Sequence, residues 1–177
     1  KNLMKNINLT NGLIFSQEVL IALIKKGLAI ERFIENVDLE VYGVSKKRVP
    51  ENVSGYRKYF SCDLTTQSGI DHVFNSGIKY DIVVQAAANT SGSKDIISKP
   101  YIHITDNAVM NAFLLQACYD YEVSHFLFLS CSVMYDPSKS PVTEEDFSAG
   151  STIPLAYFGI GWTKVYVEKM CEFYSGL

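Results

Sequence analysis

The sequence predicts an α/β fold: a parallel sheet with flanking helices, incomplete at its start and preceded by a helical N-terminal segment. Three observations predict it. From residue 39 onward, short apolar runs rich in β-formers alternate with amphipathic stretches. One run, Asp81–Ala88 (DIVVQAAA), is almost continuously apolar, as strands covered on both faces of a parallel sheet are. The chain has 177 residues, 47% hydrophobic and 20% charged, which is enough apolar material for a core and excludes global disorder.

The elements follow in chain order. Leu13–Lys26 (LIFSQEVLIALIKK) is helical in composition, with Gly27 as a stop. Ile30–Val37 is suited to a second helix. A nucleotide-binding βαβ unit opens with an apolar strand and a glycine-rich turn, but Ile7–Leu13 offers one glycine and a poor strand. Residues 1–37 therefore read as a helical leader or a degenerate first βα unit, and 38–177 as a partial domain. Leu39–Val44 and Tyr56–Cys62 read as strands. Thr66–Asn75 has helical spacing at Ile70, Val73 and Phe74. Pro100 opens a long helix with Ile104, Ala108, Phe113, Leu114, Ala117 and Cys118 as its inner stripe. Phe126–Ser130 is another strand. Thr163–Tyr174 is a helix with Val167, Met170, Cys171 and Tyr174 on one side.

Charge and composition narrow the function. The formal net charge is −3, against the basic excess of a nucleic-acid binder. No apolar run approaches the roughly 18 residues of a membrane span, and the first residues lack a signal peptide's apolar region. Cys62, Cys118, Cys131 and Cys171 are widely spaced, as in a cytoplasmic protein with reduced thiols. His72, His103 and His125 have no metal-ligand spacing and read as surface or capping residues. In a parallel sheet the ligand is expected at the C-terminal ends of the strands.

Four pieces in order carry a family resemblance. Asp63-Leu64 follows a strand. Val83-Val84-Gln85-Ala86-Ala87 ends one. Asn107–Leu115 (NAVMNAFLL) lies in a helix, and Phe126–Tyr135 (FLFLSCSVMY) is a serine-bearing strand end. Pro141-Val142-Thr143-Glu144 and Thr163-Lys164 with Glu168 add a loop and a helix. Together residues 39–177 resemble the extended short-chain dehydrogenase/reductase family of NAD(P)-dependent nucleotide-sugar epimerases, dehydratases and reductases, nearest in flavour to the GDP-L-fucose synthase type. The resemblance implies a Rossmann-like domain, a nicotinamide cofactor, a nucleotide-sugar substrate and a possible homodimer built on helices including 100–120. It places Asp63 and Leu64 at the adenine and Ala86 and Ala87 under the dinucleotide. Residues 2–28 instead resemble a helical stretch of adenylosuccinate lyases. A splice, a fusion or a degenerate unit would each explain that, and an unrelated helical leader is the favoured reading.

The expected chemistry needs a tyrosine whose phenolate is favoured by a lysine ammonium, which also holds the cofactor ribose. A Ser or Thr hydroxyl orients the substrate. The family places Tyr four residues before Lys. Lys164 matches, but Ile160 stands four residues before it, and the nearest tyrosine is Tyr157. Seven helical residues return to nearly the same face about 10 Å along the axis. Either Gly159 and Gly161 bend the segment so that Tyr157 reaches the site, or Tyr157 is an aromatic anchor. Four before Tyr135 is Cys131. Strand alternation sets Ser130 and Ser132 on the other side, and a thiol donates weakly, so Ser132 is the candidate hydroxyl, unless it is a turn residue. Ser45, Lys46, Lys47 and Arg48 follow the Leu39–Val44 strand with no acidic residue among them. They either favour the 2′-phosphate of NADP over NAD or form a solvated loop. Thr90–Ser93 is a binding loop or a plain one.

Three functions compete. The first is an NADP-dependent reductase or epimerase with Ser132, Tyr157 and Lys164 as catalytic residues and Ser45, Lys46, Arg48, Asp63, Leu64, Ala86, Ala87 and Lys164 holding the cofactor. The second is a non-catalytic fragment or chimera serving as a binding or assembly module. The third, a lyase-like helical protein, explains least of the chain. The family's members carry a further substrate-binding lobe, so 177 residues are expected to hold only the middle of a nucleotide-binding domain.

Overall fold

The computed structural model describes residues 12–16, 40–46, 56–89, 98–136, 138, 141–148, 150 and 152–177. Five strands form one sheet: β1 (Gly12–Ser16), β2 (Glu40–Ser45), β3 (Lys58–Ser61), β4 (Tyr80–Gln85) and β5 (His125–Phe128). Their order is β3-β2-β1-β4-β5, and each neighbouring pair is parallel. Among the described residues the helices are α1 (Gln67–Phe74), α2 (Pro100–Asp120) and α3 (Phe158–Ser175), with 3₁₀ turns at Glu144–Asp146 and Leu155–Tyr157.

β1 corrects the sequence reading. Residues 13–16 are not helical. They belong to a strand that pairs with β2 on one side and β4 on the other. The strand expected to be missing is therefore present at the centre of the sheet. The cause of the error is physical: a run as short as Leu13-Ile14-Phe15 carries no periodicity that separates a buried strand from a helix. The rest of the expected helix, 17–26, and the second at 30–37 lie outside the described residues. Strand order reverses direction between β1 and β4, which makes the crevice beyond their C-terminal ends the natural ligand site.

β4 behaves as its composition demands. Tyr80 and Ile82–Gln85 are all buried, as an interior strand of a parallel sheet is expected to be. Tyr80 anchors the core: its ring meets Tyr42 at 5.5 Å and Phe74 at 5.7 Å, both edge-on, and its hydroxyl donates to the Val73 carbonyl at 3.2 Å. Phe60, Ile70, Val73, Leu114, Ala117 and Cys118 complete the cluster.

α1 begins where Thr66 caps it, its hydroxyl oxygen accepting from the Gly69 amide at 3.1 Å. The same hydroxyl donates to the Asp63 carbonyl at 2.8 Å. Thr66→Ala is expected to cost about 1 kcal/mol, read as a lower denaturant midpoint at unchanged slope. An unmoved midpoint would show the cap to be dispensable.

α2 starts at Pro100 as expected, where a missing N–H costs nothing. Its buried face differs from the expected stripe. Leu114, Ala117 and Cys118 are buried, but so are His103, Asn107 and Asn111, whereas Ile104, Ala108 and Phe113 are only half-buried. His103 is thus an interior residue, contrary to the surface reading, and His72 and His125 are exposed. α3 runs unbroken through both glycines, so neither ends it. A Cβ on Gly159 would lie 2.2 Å from Ile104 Cδ1, and one on Gly161 would press on Ile153 at 3.0 Å. These glycines let α3 approach its neighbours. No helix among the described residues is long and apolar enough to cross a membrane.

Candidate active site

The C-terminal ends of the strands carry the expected residues in a row. At the outer side, Ser45 closes β2 in register with Ser61. Lys46 follows and pairs with Asp63 at 2.6 Å. Asp63 also accepts from the Thr65 amide at 3.0 Å and hydroxyl at 2.7 Å. Burial would raise its carboxyl pKa, but Lys46 and Thr65 outweigh burial and hold it below the ordinary carboxylate range. Leu64 is 9% exposed and belongs to the core cluster. Arg48 and Thr90–Ser93 lie outside the described residues.

In the middle, β4 ends at Gln85, and the chain turns away through Ala86 and Ala87 rather than extending the strand to Ala88. Gln85 is buried and organises the turn. Its Oε1 accepts from the Ala87 amide at 3.2 Å, and its Nε2 donates to the Ala87 carbonyl at 3.2 Å and to Asn111 Oδ1 at 3.1 Å. Two small side chains there leave room for a ligand to approach the backbone.

At the inner side, Lys164 reaches back from α3 to the end of β5. Its ammonium donates to the Leu129 carbonyl at 2.7 Å and lies 4.4 Å from the Phe128 ring centroid. Burial lowers its pKa, opposed by Cys131 and Glu168. Burial raises the Cys131 thiol, opposed by the Val133 and Met134 amides and the Lys164 charge. Tyr135 shares this cluster. Its hydroxyl is raised by burial and then by Glu144, Glu168 and Cys131, and its ring packs on Phe147 at 6.3 Å.

Cys131 is therefore the residue that shares Lys164's field. Ser132 is exposed, and its carbonyl accepts from the Tyr135 amide at 3.2 Å in a turn. The alternation that favoured Ser132 does not apply, because β5 ends at Phe128 before those residues begin. Tyr157 ends a 3₁₀ turn and caps α3, 41% exposed. Tyr157 stands seven residues before Lys164, just ahead of the first residue of α3. The structure thus brings together Lys164, Cys131, Tyr135 and Glu168, and sets Tyr157 at the start of α3. The half-buried Ile160 stands where the expected tyrosine would be.

These residues fit a dinucleotide on three counts, an ion-paired polar end at Lys46 and Asp63, a small-residue turn at Ala86 and Ala87, and an ammonium at Lys164. On a fourth count, a phosphate cradle after β1, the sequence has no glycine between Gly12 and Gly27.

The model of the NAD dependent epimerase/dehydratase family matches residues 27–176. The chain belongs to that family. A UDP-glucose 4-epimerase of Caenorhabditis elegans is 29% identical over 147 residues, which are 81% of this chain and 40% of that protein. The chain thus spans less than half the length of this curated relative. Among solved structures, a Thermus thermophilus UDP-glucose 4-epimerase in complex with NAD superposes at TM-score 0.65 and 18% identity, covering 93% of this chain and 50% of that one. A GDP-L-fucose synthetase from Naegleria fowleri does so at 0.67 and 17%, covering 96% and 46%. These likenesses establish the Rossmann-like fold, of which this chain forms a part. The lyase resemblance of residues 2–28 finds no support in them, and the strand at Gly12–Ser16 fills the place of the family fold's first strand.

Proposed function

We propose that this chain is the nicotinamide-cofactor-binding part of a cytoplasmic nucleotide-sugar epimerase or oxidoreductase. The observation that carries the reading is the seat of Lys164, half-buried on the carbonyl that ends β5, at the reactive end of a sheet of order β3-β2-β1-β4-β5. When bound, the cofactor supplies reversible hydride transfer. The chain's own residues do the rest. Asp63 with Lys46 holds the adenosine end, Ala86 and Ala87 admit the dinucleotide to the sheet edge, and Lys164 donates to the ribose and favours a nearby phenolate. With Ile160 in the family's tyrosine place, Tyr157 remains the proposed proton donor and Ser132 the hydroxyl that orients the substrate, and Tyr135 is the phenol that shares the cluster of Cys131 and Glu168. The nucleotide sugar is of the GDP-L-fucose synthase type by sequence motif and of the UDP-glucose type by curated relative, and turnover with each decides between them. A homodimer through α2 is part of the same proposal. The test is a calorimetric titration of the purified chain with NADH and NADPH. Submillimolar binding supports the reading, and no binding at millimolar cofactor overturns it.

A cofactor preference for NADP follows from the cations after β2, of which Lys46 is already committed to Asp63. Asp63→Asn releases that ammonium and is expected to raise the NADPH-to-NADH affinity ratio about threefold to tenfold, the worth of a charge-assisted hydrogen bond partly exposed to water. An unchanged ratio removes Lys46 from cofactor choice. One observation favours a second reading, a non-catalytic binding module: Ile160 in the tyrosine place together with the glycine-free stretch after β1. Cofactor binding without turnover on either sugar supports that module.

A further inference from the structure

The turn after β4 is gripped by a polar stripe on α2. His103, Asn107 and Asn111 fall at i, i+4 spacing and so share one helix face. They are 3%, 8% and 2% exposed, a costly place for polar groups unless each finds a partner. The partner is the turn. The Asn89 amide donates to Asn107 Oδ1 at 2.7 Å. The Asn89 carbonyl accepts from Asn107 Nδ2 at 3.2 Å and lies 3.0 Å from His103 Nδ1. Asn89 Nδ2 donates to Asp106 Oδ2 at 2.6 Å. Both backbone groups of one residue are thus held by one helix, in a segment that has already left the sheet.

His103 has a specific part in this. A carbonyl only accepts, so Nδ1 must carry the proton, which fixes the ring's protonation at that nitrogen. Asn107 Nδ2 also donates to the His103 carbonyl at 2.5 Å, so its amide is divided between two acceptors. The imidazole therefore makes the shorter of the two contacts on the Asn89 carbonyl. An apolar residue at 103 would be cheaper to bury. The histidine is explained by what it holds.

We propose that His103 is a positioning residue: by donating from Nδ1 to the Asn89 carbonyl it fixes the Ala86–Asn89 backbone against which the dinucleotide lies. The cofactor half of this rests on the reading in the preceding section. The test compares His103→Leu, which keeps bulk and loses the donor, with His103→Asn, whose amide nitrogen stands at the same bond distance from the backbone as Nδ1. In His103→Leu the amides of residues 86–89 exchange with solvent about tenfold faster and the dissociation constant for NADH rises about tenfold, as loss of one buried hydrogen bond requires. Amides in the middle of α2 keep their protection, and His103→Asn recovers most of both effects. Three results overturn the proposal: unchanged exchange in His103→Leu, a loss of protection spread over the whole sheet and α2, or a His103→Asn variant no better than His103→Leu. Absence of both NADH and NADPH binding by the unmodified chain overturns the cofactor half and the preceding reading together, while the exchange measurement still decides whether His103 holds the turn.

Discussion

Replacing Lys164 with methionine is expected to weaken nicotinamide-cofactor binding roughly 10- to 100-fold while leaving the fold intact. The magnitude is that of one hydrogen bond from a charged donor, about 1.5–3 kcal/mol. The fold survives because the methylene stem of Lys164 and a methionine cover similar surface beside Phe128. The one orphaned group, the Leu129 carbonyl, lies at the sheet edge. Lys164→Arg is not expected to rescue, since a planar fork cannot occupy the seat of a compact ammonium over one carbonyl. The pH dependence has a definite sign. Burial lowers the Lys164 pKa from its ordinary 10.5, so the ammonium is lost as pH rises through a value below 10.5. Cofactor affinity should fall on that alkaline limb in the unmodified chain and stay flat there in Lys164→Met. Fluorescence titration of reduced cofactor across pH checks both. A variant that binds as tightly as the parent would remove Lys164 from the site.

Much of this architecture was legible because the residues concerned carry strong local signals. Asp81–Val84 and Leu39–Val44 are apolar beyond what a surface could tolerate. Ile70, Val73 and Phe74 repeat at helical spacing, and all three are buried in the structure. Lys164 was legible from its Thr-Lys and Glu168 context. What escaped the sequence did so for identifiable reasons. β1 is five residues long, too short for periodicity to show. The face formed by His103, Asn107 and Asn111 has perfect helical spacing, but polarity disguises it as a solvent face. The clue was Gln85, a polar residue in an apolar strand, which pairs with Asn111. The choice between Ser132 and Cys131 turned on where β5 stops, and strand ends are set by sheet pairing rather than by composition. At Gly159 and Gly161, flexibility suggested a bend. The side chains of Ile104 and Ile153 packed against them show that absent volume, not loose backbone, is what those positions supply.

The same distinction makes Gly69→Ala the most damaging glycine-to-alanine substitution expected among the described residues. On helix propensity alone, alanine in place of glycine within α1 should stabilise by about 1 kcal/mol. Packing opposes it. A Cβ at position 69 would stand 1.9 Å from the Asp63 carbonyl oxygen and 2.6 Å from its carbon. These are backbone atoms and cannot rotate aside. Relief requires α1 to move off the β3–α1 loop, and that movement strains the bonds that start the helix. The Asp63 carbonyl accepts from the Thr66 amide at 3.1 Å and from its hydroxyl at 2.8 Å. The clash should exceed the propensity gain, for a net loss of about 2–4 kcal/mol. In a chain of this size that lowers the melting temperature by roughly 5–15 °C. Gln67→Ala, an exposed change on the same helix, should cost under about 0.5 kcal/mol and serves as the control. Because the displaced loop carries Asp63, which pairs with Lys46 after β2, Gly69→Ala should also weaken cofactor binding at temperatures where the protein is still folded. A stable Gly69→Ala protein with full affinity would mean that the loop yields without cost and that Asp63 is not held in place by α1.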